Sequence, residues 1–188
     1  MSPDYAARVG ACLGSLGISG EAIRNRSLPL QVEAVELEII AVGENGREHR
    51  LVPVAARAWQ EMQRAAAVDD VSLIVVSAFR SLERQAEIVR GKIAAGLPLD
   101  VIFCASAPPG YSEHHTGRAL DIATPGVEPL EEAFDATEAF AWLAANAAPF
   151  GFTLSYPRGN RHGFMYEPWH WFFLEKFPPA PAALTLEK

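Results

Sequence analysis

The sequence of 188 residues predicts an α+β fold, a small antiparallel sheet with flanking helices. Three observations carry the prediction. A Val- and Ile-rich stretch, Glu33 to Val42, is separated by Asn45-Gly46 from Arg47 to Val52, the signal of a hairpin closed by a tight turn. A compact apolar run with β-branched members, Val71 to Val76, suits a buried strand. The later strand segments, Arg118 to Ala123 and two or three more between Phe152 and Phe173, are joined without the regular helical crossovers that a parallel sheet needs.

The remaining elements follow in chain order. Ser2 and Pro3 form an N-cap and first helical position, and Tyr5, Val9, Cys12, Leu13 and Leu16 recur at helical spacing until Gly17. Residues 1–30 are therefore an N-terminal helical segment, 31–177 the main domain, and 178–188 a Pro-rich tail. Pro53 opens a helix carrying Val54, Ala55, Trp59 and Met62. Ser81 caps another over about Leu82 to Ala95, with Gly96 and Pro98 as stop signals and Arg84, Arg90 and Lys92 on its solvated face. Ala105 to Gly117 is rich in Pro, Gly, Ser and His and reads as a loop. A second long helix is expected over about Pro129 to Ala147, burying Phe134, Phe140, Trp142 and Leu143.

Composition narrows the function. The net charge is -7 and the 16 Lys and Arg residues are dispersed, so no basic stripe is available for a nucleic acid. No apolar run approaches the roughly 20 residues a membrane span needs. Cys12 and Cys104 match no metal motif and read as two separate buried thiols, with a single disulfide as the alternative. The N-terminus lacks the basic and uninterrupted apolar regions of a signal peptide. That leaves a cytoplasmic protein, or one of the cell envelope whose leader is absent from this chain. A monomer is expected.

Three of the five histidines fall in two dense patches, Ser112 to Asp121 and Tyr166 to Trp171. Catalytic zinc takes three protein ligands from His and carboxylate and keeps a fourth position for water. His114, Asp121 and His170 satisfy that count, one zinc per chain. Glu167 remains as a carboxylate able to take the water's proton. Gly117 permits a sharp turn between His114 and Asp121, and small Ala119 allows a close backbone approach. Glu167 and His170 would face opposite sides of an ideal strand, but Pro168 breaks the ladder and a bend there aims both at one point. His115 should project away from the ligand set, with a role in supporting the site or facing the substrate left open, His49 and His162 are not ligand candidates, and Trp169 and Trp171 are core or pocket-wall residues.

The two patches resemble the zinc D-alanyl-D-alanine carboxypeptidases of the VanY type, in the superfamily that also holds lysostaphin-like enzymes and the hedgehog signalling domain. The matching pieces are SxHxxGxAxD at Ser112 to Asp121, EPWH at Glu167 to His170, and Ser77-Ala78-Phe79-Arg80-Ser81 with Gln85, similar to SxYRSxxxQ. Gly151-Phe152 and Ser155-Tyr156-Pro157 extend the likeness. The resemblance implies a single-domain zinc peptidase with transition-state stabilisation by Arg80. It also makes Ser112 and Gln85 candidates for contacts to the peptide backbone or its terminal carboxylate. Two positions depart from the pattern: Phe79 replaces the usual Tyr, and Phe172 stands where a polar residue is common.

The activity so implied is release of terminal D-Ala from the peptidoglycan stem peptide, with Glu167 taking a proton from the attacking water and handing it to the leaving amine. The alternatives are a carboxypeptidase or endopeptidase cutting another stem-peptide bond, such as an L,D bond, and a zinc-stabilised binding module without catalysis. Glu167 and Arg80 weigh against the last.

Overall fold

Asn45-Gly46 reverses the chain as its residues require. Gly46 takes a φ of 76°, Asn45 Oδ1 accepts from the Arg47 amide at 3.0 Å, and β1 (Glu38–Val42) pairs antiparallel with β2 (Glu48–Leu51). A register shift between Ile39 and Ala41 bends the first strand. The structure is a computed structural model describing residues 3–24, 26 and 28–174. The Ser2 cap and the Pro-rich tail lie outside the described residues.

Helices α1 (Pro3–Ser15) and α3 (Pro53–Val68) begin where their prolines announce them, the latter with Pro at its first turn. Helix α4 (Leu82–Ala94) is capped as expected, since Ser81 Oγ accepts from the Arg84 amide at 3.1 Å. Two short helices were not anticipated: α2 (Gly20–Arg24) and α5 (Leu99–Ala105). Neither is long enough to display a helical repeat.

The predicted long helix over about 129–147 is two pieces. A 3₁₀ turn (Glu132–Ala136) is followed by Thr137, which is extended at φ −90° and ψ 157° and caps α6 (Glu138–Asn146), its Oγ1 accepting from the Phe140 amide at 3.1 Å. A threonine that satisfies the first orphan amides starts a new helix rather than continuing an old one. Phe134 and Leu143 are buried as expected, whereas Phe140 and Trp142 are half-buried. The Trp142 indole donates to Asp69 at 2.7 Å.

Four strands form the second sheet in the order β3 (Ile74–Ser77), β4 (Ala119–Ala123), β6 (His170–Phe173), β5 (Phe152–Leu154), every pair antiparallel. The α+β class therefore holds, with two small sheets instead of one. The link from β5 to β6 is a long loop over 155–169 rather than a short turn. One core cluster joins the sheets to α3 and α6, with Trp59, Met62, Leu120, Ile122, Leu143 and Phe152 almost wholly enclosed. Each such side chain contributes roughly 1.5–3 kcal/mol of burial. A second cluster packs Tyr5, Val9 and Leu13 of α1 against Leu82 and Val89 of α4 and Ile102 and Phe103 of α5. No helix among the described residues is long and apolar enough to cross a membrane.

Candidate metal centre and active site

The register of the second sheet assembles the centre. Ser77 lies opposite Asp121, and Asp121 opposite His170, so one cross-strand row holds all three. His114 reaches the row from a 3₁₀ turn (Glu113–Thr116) that ends at Gly117. Gly117 has a φ of 63°, and a Cβ there would meet Leu37 at 2.9 Å, so the turn accepts only glycine. One donor atom each from buried His114, Asp121 and His170 lies within 4.8 Å of the others.

Hydrogen bonding fixes which ring nitrogens are free. His114 Nδ1 sits 2.7 Å from the Ala78 carbonyl, which only an N–H can satisfy, so Nε2 carries the lone pair and faces Asp121 Oδ2 at 3.2 Å. Burial keeps this ring neutral, pushing its pKa down to about 4 against the pull of Asp121. A lone pair and a carboxylate in that position repel unless a cation lies between them. His170 Nδ1 stands 3.0 Å from Asp121 Oδ1 and its Nε2 3.0 Å from Glu113 Oε2. Burial opposes charge on His170, but the bonds to Asp121 and Glu113 outweigh it and carry the pKa up to about 10. Burial alone would raise Asp121; His114 and His170 instead hold it far below the usual carboxylate range. A metal cation can replace the His170 proton at Nδ1 while Nε2–H donates to Glu113. The residues thus fit a zinc ion with two imidazoles and one carboxylate.

Glu167 and Arg80 border the same cleft, about 380 Å³ in volume, which His114, Asp121, His170, Ser112, Tyr156 and Trp169 also line. The bend at Pro168 has the anticipated effect: the His170 amide donates to the Glu167 carbonyl at 3.1 Å, and Glu167 Oε2 comes within 3.9 Å of His170 Nδ1. Burial pushes the Glu167 carboxyl up to about 7, with Asp121 adding to the rise and His170 and Arg80 opposing it. Arg80 donates through Nη1 to Gln85 Oε1 at 2.8 Å and through Nη2 to Ser77 Oγ at 3.1 Å. Its Nη2 lies 3.7 Å from Asp121, and its Nε is buried without a hydrogen-bond partner.

Other expected residues take different places. Gln85 is fully buried, its amide divided between Arg80 and the Ala107 carbonyl at 2.6 Å, and it does not line the cleft. Its contacts make it a support for Arg80. Ser112 does line the cleft. Phe79 borders a separate groove with Tyr5, Arg8 and Val35, so the missing tyrosine hydroxyl leaves the cleft wall unaltered. Ala119 is buried opposite Phe172, away from the cleft lining. Trp171 is core, and Trp169 is both core and cleft wall. The two thiols are free and separate, but neither is buried: Cys12 is half-buried and Cys104 exposed.

Two contributors, Glu113 and Lys92, escaped the sequence reading, and a third, His115, was read only as a residue off the ligand set that could support the site. Glu113 fixes the His170 ring, and although burial would raise its pKa, the His170 bond holds it down. Nothing in the sequence separates it from a solvated acid except its place beside His114. Glu113→Gln should weaken zinc binding by roughly 10- to 100-fold, read by competition with a chelator, because the orienting charge behind a ligand is lost. An unchanged zinc affinity would make Glu113 a bystander. His115 donates from Nδ1 to the Arg80 carbonyl at 2.6 Å and accepts at Nε2 from the Gly110 amide at 3.1 Å. Consecutive histidines thus clamp the Ala78 and Arg80 carbonyls. Lys92, expected on a solvated face, is half-buried and lines the cleft, because α5 and the segment after it cover that end of α4.

The profile of the VanY D-alanyl-D-alanine carboxypeptidase family matches residues 48–176. The chain belongs to that family. A D-alanyl-D-alanine carboxypeptidase of Enterococcus faecalis (strain ATCC 700802 / V583) is 32% identical over 161 residues, covering 80% of this chain and 56% of that protein. The chain spans about half the length of the curated relatives it matches. Among solved structures, the LdcB LD-carboxypeptidase superposes with a TM-score of 0.68 at 33% identity, covering 77% of this chain and 71% of that one. A vancomycin-resistance D,D-pentapeptidase VanY variant, solved with Zn(II), superposes with a TM-score of 0.61 at 31% identity, covering 79% and 88%. The VanY-like fold and the antiparallel architecture agree with the resemblance drawn from the motifs.

Proposed function

We propose that this chain is a zinc-dependent carboxypeptidase that releases terminal D-Ala from peptidoglycan stem peptides. The observation that carries the reading is a buried carboxyl, Glu167, standing beside a three-donor cluster in one cleft. His114 Nε2, Asp121 and His170 Nδ1 would hold the metal. Zinc, when bound, supplies a Lewis acid that lets a water attack near neutral pH. Glu167 accepts the attacking water's proton and returns it to the leaving amine. Arg80, held by Gln85 and Ser77, stabilises negative charge growing on the scissile carbonyl oxygen. Trp169 and Tyr156 wall the cleft, and Tyr156 stacks on His170 with ring centroids 4.6 Å apart, limiting water around the ring.

Arg80→Lys should keep zinc bound and lower kcat by roughly 100- to 1000-fold, since one ammonium cannot reproduce a fork of fixed donors. Metal analysis beside turnover checks this; activity near the parent's would make Arg80 a structural residue only. Cleavage of an L,D bond is the second reading, favoured by the LdcB likeness. Incubating the zinc-loaded protein with defined penta- and tetrapeptide stems, and weighing the released residues by mass spectrometry, separates the two. Release of D-Ala from the pentapeptide supports the first reading; release only from the tetrapeptide supports the second. Binding of stems without cleavage, with zinc fully loaded, would leave a binding module.

A further inference from the structure

The cleft holds a second cation that the proposed chemistry does not use. Lys92 lies in the last turn of α4, one helical turn beyond Ile88, and both line the cleft. Its ammonium donates to Ser106 Oγ at 2.7 Å. Ser106, with Ala105 and Ala107, forms the adjoining wall. An ammonium carries three donors, and no carboxylate among the described residues forms an ion pair with Lys92. Arg80, by contrast, is held by Gln85 and Ser77 and already has a carboxylate, Asp121, at 3.7 Å. Of Arg80 and Lys92, Lys92 is therefore the one without a carboxylate partner among the described residues. Burial penalises its charge, and Glu167 offsets only part of that penalty. An anion entering the cleft would complete the pairing that the chain leaves open.

We propose that Lys92, steadied by Ser106, is a carboxylate-binding point of the cleft that reads a free carboxylate on the peptide substrate. The proposal rests on the peptidase reading given above. Two carboxylates meet the chemistry: the C-terminal one on the leaving residue, and a side-chain one on a residue upstream of the scissile bond. In either case Lys92 selects among peptides that the metal centre would treat alike.

The test uses the full chain, zinc-loaded, and three peptides of one length: the free acid, its C-terminal amide, and the free acid with its side-chain carboxylate converted to a carboxamide. The parent, Lys92→Met and Lys92→Arg are compared by kcat/KM. The parent should prefer the free acid over one amidated form by on the order of 10- to 100-fold, as expected for a hydrogen bond between charged groups. Lys92→Met should bring that ratio close to one, and Lys92→Arg should keep most of it. The amidated form that is discriminated against names the carboxylate. Zinc content and thermal unfolding report the fold of each variant, and Lys92→Gln replaces Lys92→Met if the latter does not fold. Ratios that are the same in parent and variant for both amidated forms overturn the proposal. A parent that cleaves none of the peptides overturns the peptidase reading instead. Lys92 is then judged by calorimetric binding of the same three peptides, and affinities that do not respond to Lys92→Met overturn it.

Discussion

Glu167→Gln should keep its zinc and its fold and hydrolyse stem peptide on the order of 100- to 10,000-fold more slowly than the parent. Glutamine keeps the size of the side chain and can hold a water by hydrogen bonding, but it cannot accept a proton near neutrality. The expected pH profile follows from the direction of the Glu167 shift. In the proposed mechanism Glu167 works as the carboxylate, and burial raises its pKa from 4.5 to about 7, so kcat/KM should fall as the pH drops through an acid limb. A bound cation pulls that limb below about 7 by favouring the charged form. The limb should be absent from the variant's residual activity. Stability should move the other way. Because the native protein holds this proton more tightly than the unfolded chain does, the carboxylate costs stability as pH rises from about 4.5 through 7. The metal-free Gln variant should therefore melt above the metal-free parent at neutral pH. Loss of zinc in the variant would make Glu167 a ligand, and undiminished hydrolysis would remove it from the mechanism.

The residues whose roles were legible in the sequence are those whose signals are local. Asn45-Gly46, Pro53, Ser81 and Gly117 each act through their own backbone or through one hydrogen bond a few residues away, and each does what its type dictates. The grouping of His114, Asp121 and His170 was legible for another reason: zinc demands a particular donor set, and two dense patches supplied it. What was not legible depends on packing between distant segments. Thr137 can end a loop or sit inside a helix, and Leu130, at a φ of 64°, gives no warning of its left-handed backbone. Helix α5 is too short to show a period, so the wall it builds over α4 went unseen and Lys92 was placed in solvent. The face of α4 held the clue, since Gln85, Ile88, Val89 and Lys92 recur at helical spacing. Gln85 and Glu113 acquire their roles from residues that only folding brings near, Ala107 and His170.

Asp121→Ala should abolish both zinc binding and hydrolysis, because this carboxylate is the hub of the centre. Oδ1 faces His170 Nδ1 at 3.0 Å, Oδ2 faces His114 Nε2 at 3.2 Å, and Arg80 approaches Oδ2 at 3.7 Å. Truncation leaves two imidazoles, one ligand short of a catalytic zinc site, and leaves half-buried Arg80 without its nearest anion. The parent should bind about one zinc per chain and gain thermal stability from it, about 2.7 kcal/mol at a hundredfold excess over Kd. The variant should gain none. Asp121→Asn sharpens the result, since it preserves shape and an acceptor oxygen but removes the charge that balances the cation. If the carboxylate's charge is what the metal needs, Asn should lose most of the zinc-dependent shift in Tm, whereas a merely geometric role would leave it intact. Metal analysis, melting with and without zinc, and peptide release measured on the same preparations decide the matter. An Ala variant that still holds one zinc per chain would remove Asp121 from the ligand set.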